Sequence, residues 1–265
     1  MRLARIAVCL GLVLMAFDAK AQGEPLADTP PPTDLGFLVG ETLTYGLKWG
    51  FISVGQCMVS TGWIEEGGRK LLRIEARTRS NKALSSIYPV DDVVESVVDA
   101  VTFRPVRFTR NLKEGRKRYH DETTFDFGTM TADWRSFIKD RRRGFSLEHD
   151  SRDLLTFMYY MRRFPVAEKA KSQYRVMADD KLYDLTVESF SSEFVELETY
   201  GKVESIKMEP TAAFEGLFVR KGRMFLWVST DERRVLTKAE VETPFANVHI
   251  QLEGVSGPGC DRWVR

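Results

Sequence analysis

Cysteine and histidine are scarce in this 265-residue chain, with three of each. His120, His149 and His249 stand far apart, and no HxH, HExxH or Cys/His cluster occurs, so the spacing gives a zinc site no support. Asp91-Asp92 and Asp179-Asp180 lack the glycine and spaced oxygens of a calcium loop, and read as solvated turns or strand starts. No G-x-S-x-G, P-loop or G-x-G-x-x-G is present, which removes the usual signatures of α/β hydrolases and nucleotide enzymes. No catalytic residue, cofactor or metal is therefore assigned, and the chain reads as a non-enzyme. Spacing alone leaves open a triad of dispersed Ser, His and Asp. His120 and Glu122 share a strand face two residues apart; without a third ligand nearby they read as a solvent-facing pair.

Long apolar runs are missing beyond the N-terminus. There, Arg2 and Arg5 precede an apolar run from Ile6 to Phe17, and Ala19-Lys20-Ala21 follows, the pattern of a secretory leader cleaved after Ala21. The run falls short of the ~20 residues that span a bilayer. Cys9 lies inside it, which argues against a lipoprotein anchor. The expectation is export, most simply to a periplasm. Cleavage removes Arg2, Arg5 and Lys20 against Asp18, moving the formal charge from +1 to −1. A near-neutral chain has no global attraction to nucleic acid.

Residues 22–38, opening with "QGEPLADTPPPTDLG", read as a flexible Pro-rich tether. Residues 39–254 read as one β-rich domain and 255–265 as a C-terminal tail. Cys57 and Cys260 remain after the leader; an oxidising compartment leaves open a single bridge between the first hairpin and the tail, or two separate thiols.

What the sequence has in quantity is alternation. Leu43, Tyr45, Leu47 and Trp49 fall on every second residue, as do Cys57, Val59, Thr61 and Trp63, then Leu72, Ile74 and Ala76 after "EEGG". Further runs are 90–98, 105–112, 118–127, 130–138, 174–177, 182–188, 194–199, 203–208, 217–229, 235–242 and 247–253. Roughly a dozen strands joined by short turns predict antiparallel pairing. One segment departs from this: in "HDSRDLLTFMYYMRRFPV", Leu154, Phe157, Met158, Met161 and Phe164 follow helical spacing. Asp150 suits the N-cap, Arg162 and Arg163 the last turn, and Pro165 the stop. The expected fold is mainly β, an antiparallel meander forming an open or closed barrel-like sheet with one amphipathic helix packed in or against it.

The stretches "GETLTYGLKWGFISVG", "DLLTFMYYMRRFPV" and "FVRKGRMFLWVSTDERRVLTKAEV" together resemble DUF3108, a bacterial exported family of unknown function. The resemblance covers about Gly40 to Glu253. It implies an exported β-rich protein with a barrel-like sheet similar to periplasmic lipid and lipoprotein carriers, a likeness of fold that carries little functional weight. Val235-Leu236 stand where the family pattern has a proline, and Ala246-Asn247 where a glycine often precedes the last strand. The family offers no catalytic residues to carry over.

Two groups of side chains remain as candidates. Tyr45, Trp49, Trp63, Phe157, Met161, Phe225 and Trp227 are expected to line an apolar interior that either packs solid or admits a lipid tail. Arg116, Lys117, Arg141, Arg142 and Arg143, with Lys113 and Lys139, are expected to gather at one pole of the sheet. Such a pole suits an anionic head group, an anionic membrane surface or an acidic partner, and is also what a solvated hairpin end looks like. No aromatics interleave with it, so single-stranded nucleic acid lacks a stacking platform. The function expected is binding or carriage of an amphipathic, lipid-like ligand; the alternative is an envelope assembly or interaction protein with a packed core that holds a protein or glycan.

Overall fold

The structure, a computed structural model, describes residues 35, 37–178, 181–212, 223–242, 246–258, 260 and 263. The expected leader 1–21, most of the expected tether, Asp179-Asp180 and the 217–222 part of one expected strand lie outside the described residues.

Alternating apolar and polar residues between short turns build two meanders. The first runs β1 (Thr42–Trp49), β2 (Ile52–Glu66), β3 (Arg69–Ser80), α1 (Lys82–Ser85), β4 (Asp91–Asp99), β5 (Arg104–Glu114), β6 (Lys117–Asp126), β7 (Thr131–Ser136) and β8 (Arg141–Ser146). After β9 (Arg152–Asp153) and the helix α2 (Leu154–Met161), the second runs β10 (Lys171–Ala178), β11 (Lys181–Leu197), β12 (Gly201–Ala212), β13 (Met224–Ser229), β14 (Leu236–Val241) and β15 (Val248–Ser256). Pairing of β1 with β15, from Thr42↔Ser256 to Trp49↔Val248, joins the meanders into one 15-stranded sheet with β8 and β9 at its edges. Every pairing between named strands is antiparallel except β9 with β10, where Val176 meets Arg152 across a crossover that carries the helix. The sheet curls but does not close, because β8 and β9 do not pair.

The turns sort onto two rims. Gly50-Phe51, the α1 connection, Gly115-Arg116 and residues 137–140 share the upper rim: Asn81 N–H donates to Val54 O at 2.9 Å, Gly115 N–H to Pro89 O at 2.8 Å and Phe137 N–H to His120 O at 2.8 Å. Glu41, at the start of β1, and the β13–β14 turn lie at the lower rim.

α2 sits inside the curl, packed on β3, β4, β9 and β10. Its N-cap is Asp153, which accepts Thr156 N–H at 2.9 Å; Asp150 does not serve, because Arg152 and Asp153 are still extended in β9. The helix ends at Met161, before Arg162 and Arg163, so these arginines act beyond it. The helical stripe also divides differently from expectation. Leu154, Phe157, Met158 and Met161 pack with Val176 and Leu185 of the second meander. Leu155 and Tyr159 join the main core with Phe37 and Phe103, and Phe164 is exposed. A helix enclosed by sheet is apolar on more than one face.

Buried polar contacts fix this helix at both ends. Ser96 Oγ of β4 donates to Asp153 Oδ2 at 2.7 Å and lies 2.8 Å from Thr156 Oγ1, all three residues being buried. At the lower rim, Arg162 forms a buried ion pair with Glu41 and donates from Nε to the carbonyl of Arg233 at 3.0 Å.

The chain ends are less loose than the composition implies. Phe37, within the expected tether, is buried against Tyr159 with ring centroids 4.8 Å apart. Trp263 of the expected tail stacks edge-on with Tyr200 at 5.5 Å and donates from Nε1 to Asp231 at 2.8 Å. The Cys57–Cys260 bridge does not form; both thiols are free. The tail is held where Gly257 meets Gly40, next to Thr61, whereas Cys57 lies four positions along β2, about 13 Å at strand rise.

Replacing Asp153 with Ala removes the helix cap and the Ser96 acceptor together, and is expected to destabilise the protein by about 3 kcal/mol in urea unfolding. Asp153→Asn keeps an acceptor and should lose less than half of that. Equal losses would show that the cap geometry is unimportant.

Candidate functional site

Register decides which side chains share a face. Leu47 pairs with Gly55 on one side and Ile250 on the other, Ile250 with Ala239, and Ala239 with Leu226. One position along, Gly46 is opposite Gln251, Gln251 opposite Lys238, and Lys238 opposite Trp227. The first row lies on the inner face, which Tyr45 and Trp49 share by alternation from Leu47. The second row lies on the outer face. Phe225 and Trp227 are therefore on the opposite side of the sheet from Tyr45 and Trp49.

The seven candidate lining residues do not converge. Tyr45 is buried and Trp49 half-buried on the inner face. Phe225 and Trp227 are buried on the outer face, with Lys207 Nζ 4.1 Å from the Phe225 ring and Lys238 Nζ 4.4 Å from that of Trp227, whose Nε1 donates to Glu193. Trp63 has inner-face parity but lies near the lower rim, 44% exposed beneath Lys70 at 4.5 Å. Phe157 and Met161 belong to the smaller cluster on the far side of α2, Phe157 against Tyr174 at 5.0 Å. Strand parity in β13 separates this set: position 227 is buried, as expected, but against the other face.

A different set shares the inner face. α2 runs from Ser96 in mid-strand towards the lower rim, so the upper part of the inner face lies beyond its end. There Trp49, Cys57, Tyr119 and Trp134 remain half-buried; Leu226 and Met224 are half-buried on the same face, Met224 packing against the cluster of Leu154 and Phe157. Polar groups lie among them. Thr78 is opposite Asp92, whose Oδ1 accepts Lys113 N–H at 2.7 Å while its buried Oδ2 has no partner among the described residues. Glu114 is buried, and Arg110 donates to both oxygens of Asp121 at 2.7 and 3.0 Å. The Tyr88 hydroxyl and Trp134 Nε1 are also buried without a partner among the described residues. Gly115, at φ +55°, makes room for Tyr88: a Cβ there would come within 2.6 Å of its ring.

Burial sets the protonation of this region. It pushes Asp92 up to about 6, despite the Lys113 N–H that favours the charged form, and the neighbouring Asp91 adds to the rise. Glu114 is pushed up to about 7, by burial first and by the nearby Asp92 charge second. The Cys57 thiol is pushed to about 11 by burial, so it is neutral and a poor nucleophile near pH 7. Asp92 thus departs from the solvated strand start expected of it. The signal was available in the alternation: Asp92 keeps step with Val94, Ser96 and Val98, all buried, while Asp91 faces out to Arg77 and Arg79.

The basic residues gather at the upper rim, in a form the sequence did not reveal. Arg116 and Lys117 flank the β5–β6 turn, and Lys139 of the β7–β8 turn lies 5.7 Å from the ring of Tyr119. Arg141, Arg142 and Arg143 are edge strand β8, not a loop. Pairing sets them opposite Ser136, Arg135 and Trp134, so Arg142 faces away from the other two. His120 is exposed beside Phe137 at 4.7 Å, and His249 approaches Glu240 at 3.5 Å on the outer face. Among the described residues no three His, Cys, Asp or Glu side chains gather to hold a metal.

Asp92 and Glu114 titrate above the usual carboxylate range in the folded state. Their protonated forms therefore favour folding, a contribution fully present below about pH 4 and lost as pH rises through about 6 and 7. Asp92→Asn keeps the Lys113 acceptor and removes the charge. It is expected to raise stability at pH 8 by on the order of 2 kcal/mol and to leave pH 4 nearly unchanged, read as the wild-type-minus-variant difference in urea unfolding. A difference independent of pH would show that Asp92 is not desolvated.

One solved structure shows the same kind of fold, and a second aligns more weakly. A β-barrel-like protein of domain of unknown function DUF1849 from Brucella abortus aligns with TM-score 0.54 at 10% identity, covering 83% of this chain and 98% of that one. A DUF1089 family protein from Pseudomonas aeruginosa aligns with TM-score 0.38 at 11% identity, covering 75% and 93%. No curated protein matches the sequence. The model of one family, DUF3108, described as a protein of unknown function, matches residues 44–253, most of the curled sheet and its helix, and the chain belongs to that family.

Proposed function

We propose that this chain is an exported, non-enzymatic protein that holds an amphipathic, lipid-like ligand on the upper inner face of its sheet. One observation carries the reading: Trp49, Trp134, Met224 and Leu226 are apolar residues of the inner face that stay half-buried, Trp49 and Trp134 above the start of α2 and Met224 beside the cluster of Leu154 and Phe157. Apolar side chains inside a curl are ordinarily sealed, and a partly open apolar wall with a few convergent polar groups is the usual form of a small-molecule site. The acyl portion lies along this wall. Its head meets the polar groups near Asp92, Glu114 and Tyr88, or the cations of the upper rim. The N-terminal run from Arg2 to Ala21 supports export. No helix among the described residues is long and apolar enough to cross a membrane.

Native mass spectrometry of protein gently extracted from the cell envelope is expected to show a copurifying lipid mass. Repeated recovery of empty protein in a stable complex with another protein would overturn the reading in favour of an assembly factor. Displacement of an environment-sensitive fluorescent fatty acid gives the residue-level test. Trp49→Ala and Leu226→Ala should each weaken binding about tenfold, the change expected from losing ~1.4 kcal/mol of apolar contact. Trp227→Ala, on the other face, should leave affinity within about twofold.

A further inference from the structure

We propose that the upper rim is a docking surface for an anionic phospholipid bilayer, entered by the apolar tips of its turns. Phe51 is fully exposed, and Ile52, Ile87, Phe137 and Ile138 are exposed by 62, 65, 41 and 54%. These residues belong to three separate turns, yet backbone hydrogen bonds place those turns on one rim: Asn81 binds Val54 O beside the first, and Phe137 binds His120 O in the third. Exposed apolar residues scattered singly are ordinary; five on the tips of one rim are not.

Charge fits the same occupant. Lys82, Arg116, Lys117, Arg118 and Lys139 are exposed on these turns and their flanks, while the exposed carboxylate there among the described residues is Asp140. Glu114, which could offset them, is buried and inclined to stay protonated. Large apolar tips ringed by cations match a leaflet whose surface is anionic and whose interior is apolar. An acidic protein or polysaccharide would use the cations but give Phe51 and Ile138 nothing to enter. The inference does not depend on ligand binding within the curl, although the half-buried inner wall lies just below the same rim.

The test is co-sedimentation of the purified protein with vesicles of phosphatidylcholine alone or mixed with phosphatidylglycerol. Binding is expected only to the anionic vesicles and to weaken as salt rises, because screening acts on the charge attraction. Phe51→Ser combined with Ile138→Ser keeps every cation and should reduce binding at least fivefold. Arg116→Glu with Lys117→Glu should reduce it comparably at low salt. All four positions are exposed, so the unfolding midpoint should not move and serves as the control for folding. As a readout independent of affinity, Phe51→Trp should add blue-shifted emission with anionic vesicles over the wild-type background. Absence of binding to anionic vesicles, or full binding by the Phe51→Ser/Ile138→Ser variant, would overturn the proposal. Neither result bears on whether lipid copurifies within the curl.

Discussion

The Glu41–Arg162 ion pair ties the first strand to the end of the helix, and both partners are buried. Removing such a pair from water is costly, and breaking it by deleting one member costs more still, because the other charge is then buried alone. The geometry explains why the contact matters here. A sheet whose edge strands β8 and β9 do not pair cannot hold its own curvature by a closed ladder. The helix supplies the missing closure: Asp153 and Thr156 grip β4 through Ser96, Leu154 and Phe157 face the second meander, and Arg162 reaches Glu41 and the carbonyl of Arg233.

The helix also divides the interior. Around α2 the curl is filled by Leu155, Tyr159, Phe37 and Phe103, while Met158, Tyr160 and Met161 of the helix are half-buried. Towards the upper rim, above the start of the helix, half-buried Trp49 and Trp134 share the inner face with buried Leu47, Leu112 and Val248, and polar groups stand among them. A fold of this kind can keep a stable core and still leave an accessible inner wall, because the two are stacked along the strands instead of competing for one volume. Asp92 and Glu114 fit such a position. Burial pushes their carboxyls up to about 6 and about 7, so the neutral form, which both donates and accepts, persists to higher pH than in an exposed carboxylate.

The fold class and most strand positions were legible because alternation is strong wherever one face is buried. Three departures from expectation have separate physical causes. The Arg141–Arg143 strand has no apolar period to betray it; its structure comes from pairing with β7. β11 was expected as two strands, 182–188 and 194–199, but is one of 17 residues, since the register shift between Ser189 and Ser192 passes through a bulge that breaks the pattern without breaking the strand. The candidate lining residues divide between the two faces on a third ground. Alternation reports that Phe225 and Trp227 share a face with each other, and nothing in a sequence says which face that is until register connects β13 through β14 and β15 to Leu47.

The arginines of β8 illustrate how one charge cluster carries two explanations that the structure separates. An edge strand exposes unpaired backbone groups, and charged side chains on it discourage another chain from adding to the sheet. Arg141, Arg142 and Arg143 are fully accounted for by that constraint, so they are weak support for any partner. The same account fails for Arg116 and Lys117, which lie at the β5–β6 turn, well inside the sheet order, with no free ladder to guard. It fails more plainly for Phe51 and Ile138, whose exposure would promote the association that edge charges prevent. The case for a surface at the upper rim therefore rests on its turns, where apolar tips and cations occur together without a structural need for either.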